Sequence, residues 1–216
     1  MYKGFFGQLW ELVGAYKKYD PATTSRLEIF LFYPGLKAWA YHYFAHILYR
    51  LHVPILPRML SEVSRAVTGI DIHPGATLGR RVLMDHGHGI VIGETAIVKD
   101  DVILYQGVTL GGTSLERAKR HPTIESHCVL GAGCKILGNI HVGTGCRIGA
   151  NSVVVKDVPD GSTVVGVPGR IVALAGVVLG HELEHGNLPD PVLQKMLDLE
   201  SRLKKLELQS VADGQN

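Results

Sequence analysis

Two segments of the sequence bring together side chains that can exchange protons or hold a small charged molecule. The first is residues 84–89, Met-Asp-His-Gly-His-Gly, and the second is the polar, basic segment 111–123, which ends in Arg120-His121-Pro122-Thr123. Histidine titrates near neutral pH and is the usual general base for activating a weak nucleophile such as a hydroxyl group. An arginine fork suits a carboxylate, although an Arg-His pair on a basic loop is also typical of a solvated surface.

Both segments interrupt a six-residue repeat within residues 72–171. An apolar, mostly branched residue occupies every sixth position, and a small or β-branched residue follows four positions later. The first series is Ile72, Leu78, Met84, Ile92, Val98, Leu104, Leu110, Ile124, Leu130, Ile136, Val142, Ile148 and Val154. The second series is Ala76, Val82, Ala96, Val102, Val108, Cys128, Cys134, Ile140, Cys146 and Ser152. The interval after Met84 is eight residues long, and residues 111–123 form the longer break.

A six-residue period fits neither a helix nor an alternating strand, so it predicts a repeat architecture. We expect a solenoid of short flat strands in which each hexad forms one side of a triangular coil. The aliphatic side chains stack inside, and Gly or Asn at the corners permits positive φ. Because departures from a regular pattern often mark functional sites, the two interruptions are the first places to look for chemistry.

Composition limits the classes of protein that this chain can be. Its 216 residues carry a net charge of only +2, which gives no reason to expect nucleic acid as a partner. The sequence has no apolar run of about 18 residues and no signal-peptide pattern, so we expect a soluble cytoplasmic protein without a membrane segment. Cys128, Cys134 and Cys146 share one small interior position of the hexad, which indicates buried thiols and not a disulfide, metal ligand or nucleophile.

The first 65 residues lack hexads and have apolar side chains at helical spacing. We predict a helix that ends before the loop at residues 20–24, where Asp or Thr could cap the following helix. Pro34-Gly35 precedes a long apolar helix over residues 36–52, and a last helix covers residues 57–67. Such a helical segment could cover the open end of the solenoid, where strand edges are unpaired.

The sequence beyond residue 172 gives two weaker signals. His181, Glu182, Glu184 and His185 lack the HExxH order of a metal site, so we expect no metal there. Further on, apolar residues at alternating steps of four and three predict a short heptad helix that could support an oligomer: Val192, Met196, Leu199, Leu203 and Leu206.

Several motifs at fixed separations resemble those of the serine O-acetyltransferases, which are left-handed β-helix acyltransferases. They are GIDIHP (69–74), DHGHGIVIGETA (85–96), VTLGGT (108–113), RHP (120–122), GAGCKILGNIHVG (131–143) and GVPGRIV (166–172). The resemblance covers residues 18–172 and implies an α+β fold. It divides the chain into an N-terminal α-helical domain (1–67), a left-handed parallel β-helix (68–172) with the loop 111–123, and a C-terminal extension (173–216) with a helical, coiled-coil tail.

The resemblance also implies roles for individual residues. His86 is the general base, oriented by Asp71, and His121 positions the substrate or assists proton transfer. Arg120 pairs with the serine carboxylate, while Asp85 and Asp20 hold the amino group; Asp20-Pro21 can also be read simply as a turn and a cap. No metal cofactor is expected.

Acetyl-CoA, the expected cosubstrate, would lie in the groove between neighbouring solenoids. Small residues would admit the thioester and pantetheine to the backbone amides, and basic residues would meet the nucleotide phosphates. The expected contacts are Gly112, Ala132, Gly133, Lys135, Gly149 and Arg170, with Arg147 and Lys156 as further basic candidates.

The resemblance further implies a homotrimer with three shared active sites, L-serine as acceptor and inhibition by L-cysteine. Many family members end in Ile and bind O-acetylserine sulfhydrylase, whereas this sequence ends Asp213-Gly214-Gln215-Asn216, so we do not expect that complex. Three alternatives remain at this point: a sugar or antibiotic O-acetyltransferase, a zinc lyase of the γ-carbonic anhydrase kind, and a scaffold without activity. The spacing of His121 and His127 departs from the zinc lyases.

Overall fold

The computed structural model describes residues 4–173 and 196–204. Four helices come first, and fifteen short strands follow. The helices are α1 (Phe5–Tyr19), α2 (Arg26–Phe32), α3 (Pro34–Arg50) and α4 (Leu56–Thr68). The strands are β1 (Asp71–Ile72), β2 (Thr77–Leu78), β3 (Leu83–Met84), β4 (Val91–Ile92), β5 (Ile97–Val98), β6 (Ile103–Leu104), β7 (Thr109–Gly111), β8 (Thr123–Ile124), β9 (Val129–Leu130), β10 (Lys135–Leu137), β11 (His141–Val142), β12 (Arg147–Ile148), β13 (Val153–Val154), β14 (Thr163–Val165) and β15 (Arg170–Ala173).

The helix boundaries follow local capping chemistry and differ by one or two residues from the expected ranges, as in α3, which ends at Arg50, and α4. Neither Asp20 nor a threonine caps α2: Ser25 and Glu28 form a reciprocal capping box instead. The helix α3 begins at Pro34 and not after it, because a proline at the first helical position has no N–H to leave unpaired. At the other end of this domain, Gly69 terminates α4 in a left-handed conformation, with φ of 72°.

The strands form three sheets, and from β1 to β13 each sheet takes every third strand in sequence. Sheet A has the order β1-β4-β7-β10-β13, sheet B the order β11-β8-β5-β2, and sheet C the order β15-β14-β12-β9-β6-β3. All pairs are parallel except β14 with β15. The chain therefore winds as a triangular prism, as the hexads predict, and the parallel β-helix is confirmed.

The strand register locates the two interruptions within the coils. Thr123 pairs with His141, eighteen residues later, which is the regular coil length. Asp71 instead pairs with Val91, twenty residues later, because the turn after β3 holds two extra residues. Ile97 pairs with Thr123 at a separation of twenty-six, because the loop 111–123 leaves the prism after β7. Both interruptions thus enlarge corners and leave the stack of strands intact.

The interior of the prism is filled as the two residue series predict. Ile92, Leu110, Ile124 and their counterparts are buried, and so are the small residues of the second series from Ala76 to Ser152, while Leu78 and Ile140 are partly buried against the core. The three cysteines are free and buried at their expected interior positions.

Glycines serve this prism in two different ways. Gly107 and Gly133 stand at one corner with φ of 70°, above which Asn151 adopts the same left-handed conformation. Gly131, which follows an aliphatic position, is needed for close approach instead, because an added Cβ would lie 2.7 Å from Ala150 N. At the corner between sheets B and C, Asp101 and His127 adopt positive φ, although Gly or Asn was expected at such positions.

The helical domain covers the first coil, whose strands have free edges. The Tyr16 hydroxyl accepts a hydrogen bond from Met84 N at 3.0 Å and donates one to Met84 O at 3.2 Å. Ser61 in α4 donates to Ile72 O, and the imidazole Nδ1 of His46 lies 2.8 Å from Pro74 O. These side chains pair with backbone groups that would otherwise be orphaned at the sheet edge.

The chain leaves the prism through β15, which reverses direction and pairs with β14. This strand reaches Ala173, one residue beyond the expected limit at residue 172. Residues 196–204 are helical and expose Met196, Leu199 and Leu203; the remaining heptad positions and His181–His185 lie outside the described residues. None of the described helices is long and apolar enough to cross a membrane.

Candidate active site

The enlarged turn after β3 presents Asp85 and His86. The Asp85 carboxylate accepts a hydrogen bond from the His86 backbone N–H at 2.9 Å, and His86 adopts a positive φ of 55°. Gly87 and Gly89 also have positive φ, so the chain reverses tightly before β4 begins. The two extra residues of this coil thus build a turn that carries a carboxylate next to an imidazole.

The helical domain adds a second carboxylate to this turn. Asp20 follows the C-terminus of α1, where its carboxylate accepts hydrogen bonds from the Ala22 backbone N–H at 2.8 Å and from the Tyr33 hydroxyl. Partial burial opposes ionisation of Asp20, but these hydrogen bonds outweigh it and hold its pKa below the ordinary value, with a further contribution from the charge of His86. Asp20 is therefore an ionised group near His86.

Asp85 experiences the opposite balance. Burial is the largest influence and raises the pKa of this carboxyl group, although the neighbouring His86 lowers it. The charge of Asp20 contributes to the rise, which places the two carboxylates within electrostatic reach of each other. We call Asp20, Asp85 and His86 the acidic cluster: it offers two carboxylates for a cation and one imidazole for a proton.

A second group of polar side chains forms where the loop 111–123 returns to the prism. Thr95 Oγ1 accepts hydrogen bonds from the backbone N–H groups of Arg120 (3.0 Å) and His121 (3.1 Å). The Arg120 guanidinium donates to Glu94 Oε2 at 2.6 Å and to the Glu116 carbonyl at 3.0 Å. We call Glu94, Thr95, Arg120 and His121 the loop cluster.

The His121 ring lies in a space that exists because two neighbouring residues are glycines. A Cβ added to Gly93 would lie 2.1 Å from His121 Nε2, and one added to Gly112 would lie 3.2 Å from the same atom. Only 8% of His121 is exposed. Burial, followed by the charge of Arg120, lowers the pKa of His121, so the imidazole is neutral at neutral pH.

Asp71 lies at the start of β1, in the coil that also carries the enlarged turn. Within residues 4–173, the side-chain hydrogen bonds do not include one between these two residues. In the strand register Asp71 lies beside Val91, and the enlarged turn places His86 five residues before Val91. The expected pairing of Asp71 with His86 therefore stays a prediction.

The acidic cluster and the loop cluster lie at opposite ends of β4 in sheet A. His86 precedes this strand at the corner between sheets C and A, whereas Gly93, against which His121 packs, follows it at the corner between sheets A and B. One chain therefore presents the two halves of the expected serine site at different corners of its prism.

The residues expected to contact acetyl-CoA flank the same sheet. Ala132, Gly133, Lys135 and Gly149 lie at or beside the corner between sheets C and A, and Gly112 lies at the corner between sheets A and B. Lys135 Nζ donates to the Gly133 carbonyl at 2.6 Å, while Arg170 is exposed at the start of β15. All of these residues except Arg170 therefore lie along the two corners that border sheet A. The contacts of all six with a cosubstrate stay a prediction.

Sequence reasoning missed three residues that organise these clusters: Thr95, Glu94 and Tyr33. Thr95 and Glu94 sit inside a regular hexad, so no break of the pattern marked them, and Tyr33 comes from a helix end. Among residues 4–173 and 196–204, no three His, Cys, Asp or Glu side chains are grouped so as to hold a metal ion.

Comparisons with known proteins agree with this architecture. Residues 121–156 match the family model described as bacterial transferase hexapeptide (six repeats). The serine acetyltransferase of Bacillus pumilus is 50% identical over 204 residues, which cover 94% of each chain.

Solved structures extend the similarity to three dimensions. The serine acetyltransferase of Brucella abortus in complex with coenzyme A is 41% identical, with a TM-score of 0.77 over 80% of this chain and 69% of that chain. A serine acetyltransferase in complex with cysteine is 39% identical, with a TM-score of 0.76 over 78% of this chain and 65% of that chain. The chain described here therefore belongs to the serine acetyltransferase family.

Proposed function

We propose that this protein is a serine O-acetyltransferase, which transfers the acetyl group of acetyl-CoA to the L-serine hydroxyl to give O-acetyl-L-serine and CoA. The observation that carries this proposal is the family membership across 94% of the chain. The two clusters supply the charges that serine needs: carboxylates for its ammonium group, a guanidinium for its carboxylate and imidazoles near its hydroxyl.

His86 acts as the general base. It removes the proton of the serine hydroxyl as the oxygen attacks the thioester carbon, and the C–S bond to CoA then breaks. Asp71 orients the imidazole and stabilises the imidazolium, since a carboxylate partner improves a histidine base. Gly87 and Gly89, which follow His86, have positive φ and give this turn conformational freedom.

Recognition of serine is divided between the two clusters. Asp20 and Asp85 bind the ammonium group, and a bound cation would lower the pKa of Asp85, which is raised in the free protein. Arg120 binds the serine carboxylate through the part of its fork that Glu94 and the Glu116 carbonyl leave unused. His121 contacts the reacting oxygen from the side of Gly93 and Gly112.

The acetyl group passes directly from acetyl-CoA to serine in a ternary complex. The cysteines are poor candidates for an acetyl-enzyme intermediate, because all three are buried in the interior of the prism, away from a bound substrate. Gly112, Ala132, Gly133 and Gly149 admit the pantetheine arm, and Lys135 and Arg170 meet the phosphates.

The protein works in the cytoplasm as a homotrimer of left-handed β-helices, with each serine site shared by two subunits. The opposite positions of the acidic and loop clusters on one chain support this sharing, because a neighbouring prism would bring its loop cluster to the acidic cluster of the first. L-cysteine inhibits by occupying the serine site; the relative solved with cysteine supports this proposal.

The decisive experiment measures CoA release from acetyl-CoA by thiol titration, with and without L-serine. We expect serine-dependent release that L-cysteine suppresses competitively. His86→Ala should lower turnover about 10²–10⁴-fold, the usual scale for a general base, with the circular dichroism spectrum unchanged. Release that is independent of serine would contradict the proposed acceptor, and near-normal turnover of His86→Ala would contradict the base.

A further inference from the structure

Thr95 anchors the return of the loop 111–123 at two successive residues. The pairing of β5 with β8 places the turn that holds Thr95 directly beside Arg120 and His121. Its hydroxyl oxygen accepts both of their backbone N–H groups, at 3.0 and 3.1 Å. One side chain therefore fixes the backbone of the two loop residues on which the proposed function depends.

Thr95 also contacts the His121 ring, and this contact identifies the tautomer. The Thr95 backbone N–H donates to His121 Nδ1 at 3.2 Å, and a backbone N–H can only donate. The Thr95 hydroxyl uses its lone pairs for the two loop N–H groups, so its own hydrogen points to Nδ1 at 2.9 Å. Because Nδ1 accepts from both groups, the proton of the neutral imidazole is on Nε2.

The surroundings of the ring keep it in this orientation. A flipped ring would turn a carbon towards Thr95 and lose both hydrogen bonds, and a proton on Nδ1 would face the Thr95 N–H. The Nε2 atom lies in the space left by the missing side chains of Gly93 and Gly112, 2.1 and 3.2 Å from the positions that their Cβ atoms would take.

We propose that Thr95 is a positioning residue that holds His121 as a fixed hydrogen-bond donor at Nε2, aimed at an oxygen of the reacting substrates. This inference rests on the proposed function, because it decides between the two roles considered for His121. A donor at Nε2 can stabilise negative charge that develops on the acetyl or serine oxygen. It cannot accept the serine proton at that atom, so proton removal is left to His86.

Kinetics of two variants test the positioning role. Thr95→Val keeps the side-chain shape but removes the hydroxyl, and we expect about 10–100-fold lower kcat/KM for serine with the KM for acetyl-CoA little changed. Thr95→Ser restores the oxygen and should recover activity to within about threefold of the wild type. Thr77→Val, an exposed threonine of β2, is the matched control. Equal activity of the Val and Ser variants would overturn the proposal.

Imidazole ¹⁵N NMR tests the tautomer directly and does not depend on turnover. His121 is assigned by comparison with His121→Gln, and we expect the wild type to carry its proton on Nε2 at pH 7.5. Thr95→Val should raise the pKa of His121, because the lost hydroxyl stabilises only the neutral ring, whereas Thr95→Ser should not. A proton on Nδ1 in the wild type would refute the inference. If serine-dependent release failed instead, the proposed function would fall while this spectrum still decided the role of Thr95.

Discussion

The contact between Tyr16 and Met84 gives a quantitative prediction about how the helical domain stabilises the first coil. Tyr16 is 1% exposed, and its hydroxyl is both donor and acceptor for the Met84 backbone. The Tyr16→Phe variant keeps the ring but leaves one N–H and one C=O buried without partners. The packing leaves little room for replacement by water, since an added Cβ on Gly35 would lie 2.3 Å from both Met84 O and the Tyr16 hydroxyl.

Each of the two orphaned buried groups costs about 1–3 kcal/mol, so we expect the free energy of unfolding to fall by roughly 2–6 kcal/mol. For a chain of this size, that corresponds to a drop in Tm of about 4–24 °C. Urea titrations at one fixed protomer concentration measure the change, since assembly would otherwise contribute. Tyr41→Phe, at a partly exposed position of α3, is the control. A loss for Tyr16→Phe no larger than that of the control would refute the edge-capping argument.

Two further predictions concern the loop cluster and the helical core. Gly93→Ala should lower kcat/KM for serine at least about tenfold, because the new Cβ occupies the position of the His121 ring. Gly14→Ala is the control and should keep its kcat/KM, because no atom lies near its added Cβ. Equal CoA release by the two variants would contradict this prediction. Burial lowers the pKa of His42 to about 3, so between about pH 6.5 and 3 the unfolded chain binds a proton that the folded protein does not. The free energy of unfolding should therefore fall as the pH drops through this range. In urea titrations at pH 7 and pH 5, His42→Leu should lose less of this free energy between the two pH values than the wild type does. An equal loss in both proteins would contradict the prediction.

The repeat made the prism predictable, because each buried position of a coil accepts one class of residue, aliphatic or small, and that class recurs every six residues. The enlarged turn with His86 was predictable for the same reason, as a defect in that period. Thr95 was not, since it occupies a regular position and its importance comes from a loop that rejoins the prism beside it. The Ser25 cap was missed because Asp20, Thr23 and Thr24 are equally competent by residue type.

The expected contact between Asp71 and His86 stays a prediction, and it shows a different limit of reasoning from sequence. It was inferred from the family motifs and from a coil of about eighteen residues, whereas this coil has twenty. Two additional residues are enough to move a side chain along the corner, so the separation of two residues in sequence does not fix their distance where a repeat is irregular. The position of Asp20 beside Asp85 likewise depends on how α1 and α2 pack, which no local pattern encodes.

The covered strand edges at the two ends of the prism affect the solubility of the protein and the number of its coils. A parallel stack has no intrinsic stopping point, because the edge of each coil is a template for another, and an uncovered edge could recruit a second chain into a growing fibre. Tyr16 and Ser61 occupy the first edge, and β15 occupies the last edge of sheet C with a strand of opposite direction. The number of coils is therefore set by these terminators, and whole coils in the middle are the part of the fold that evolution or design can add or remove.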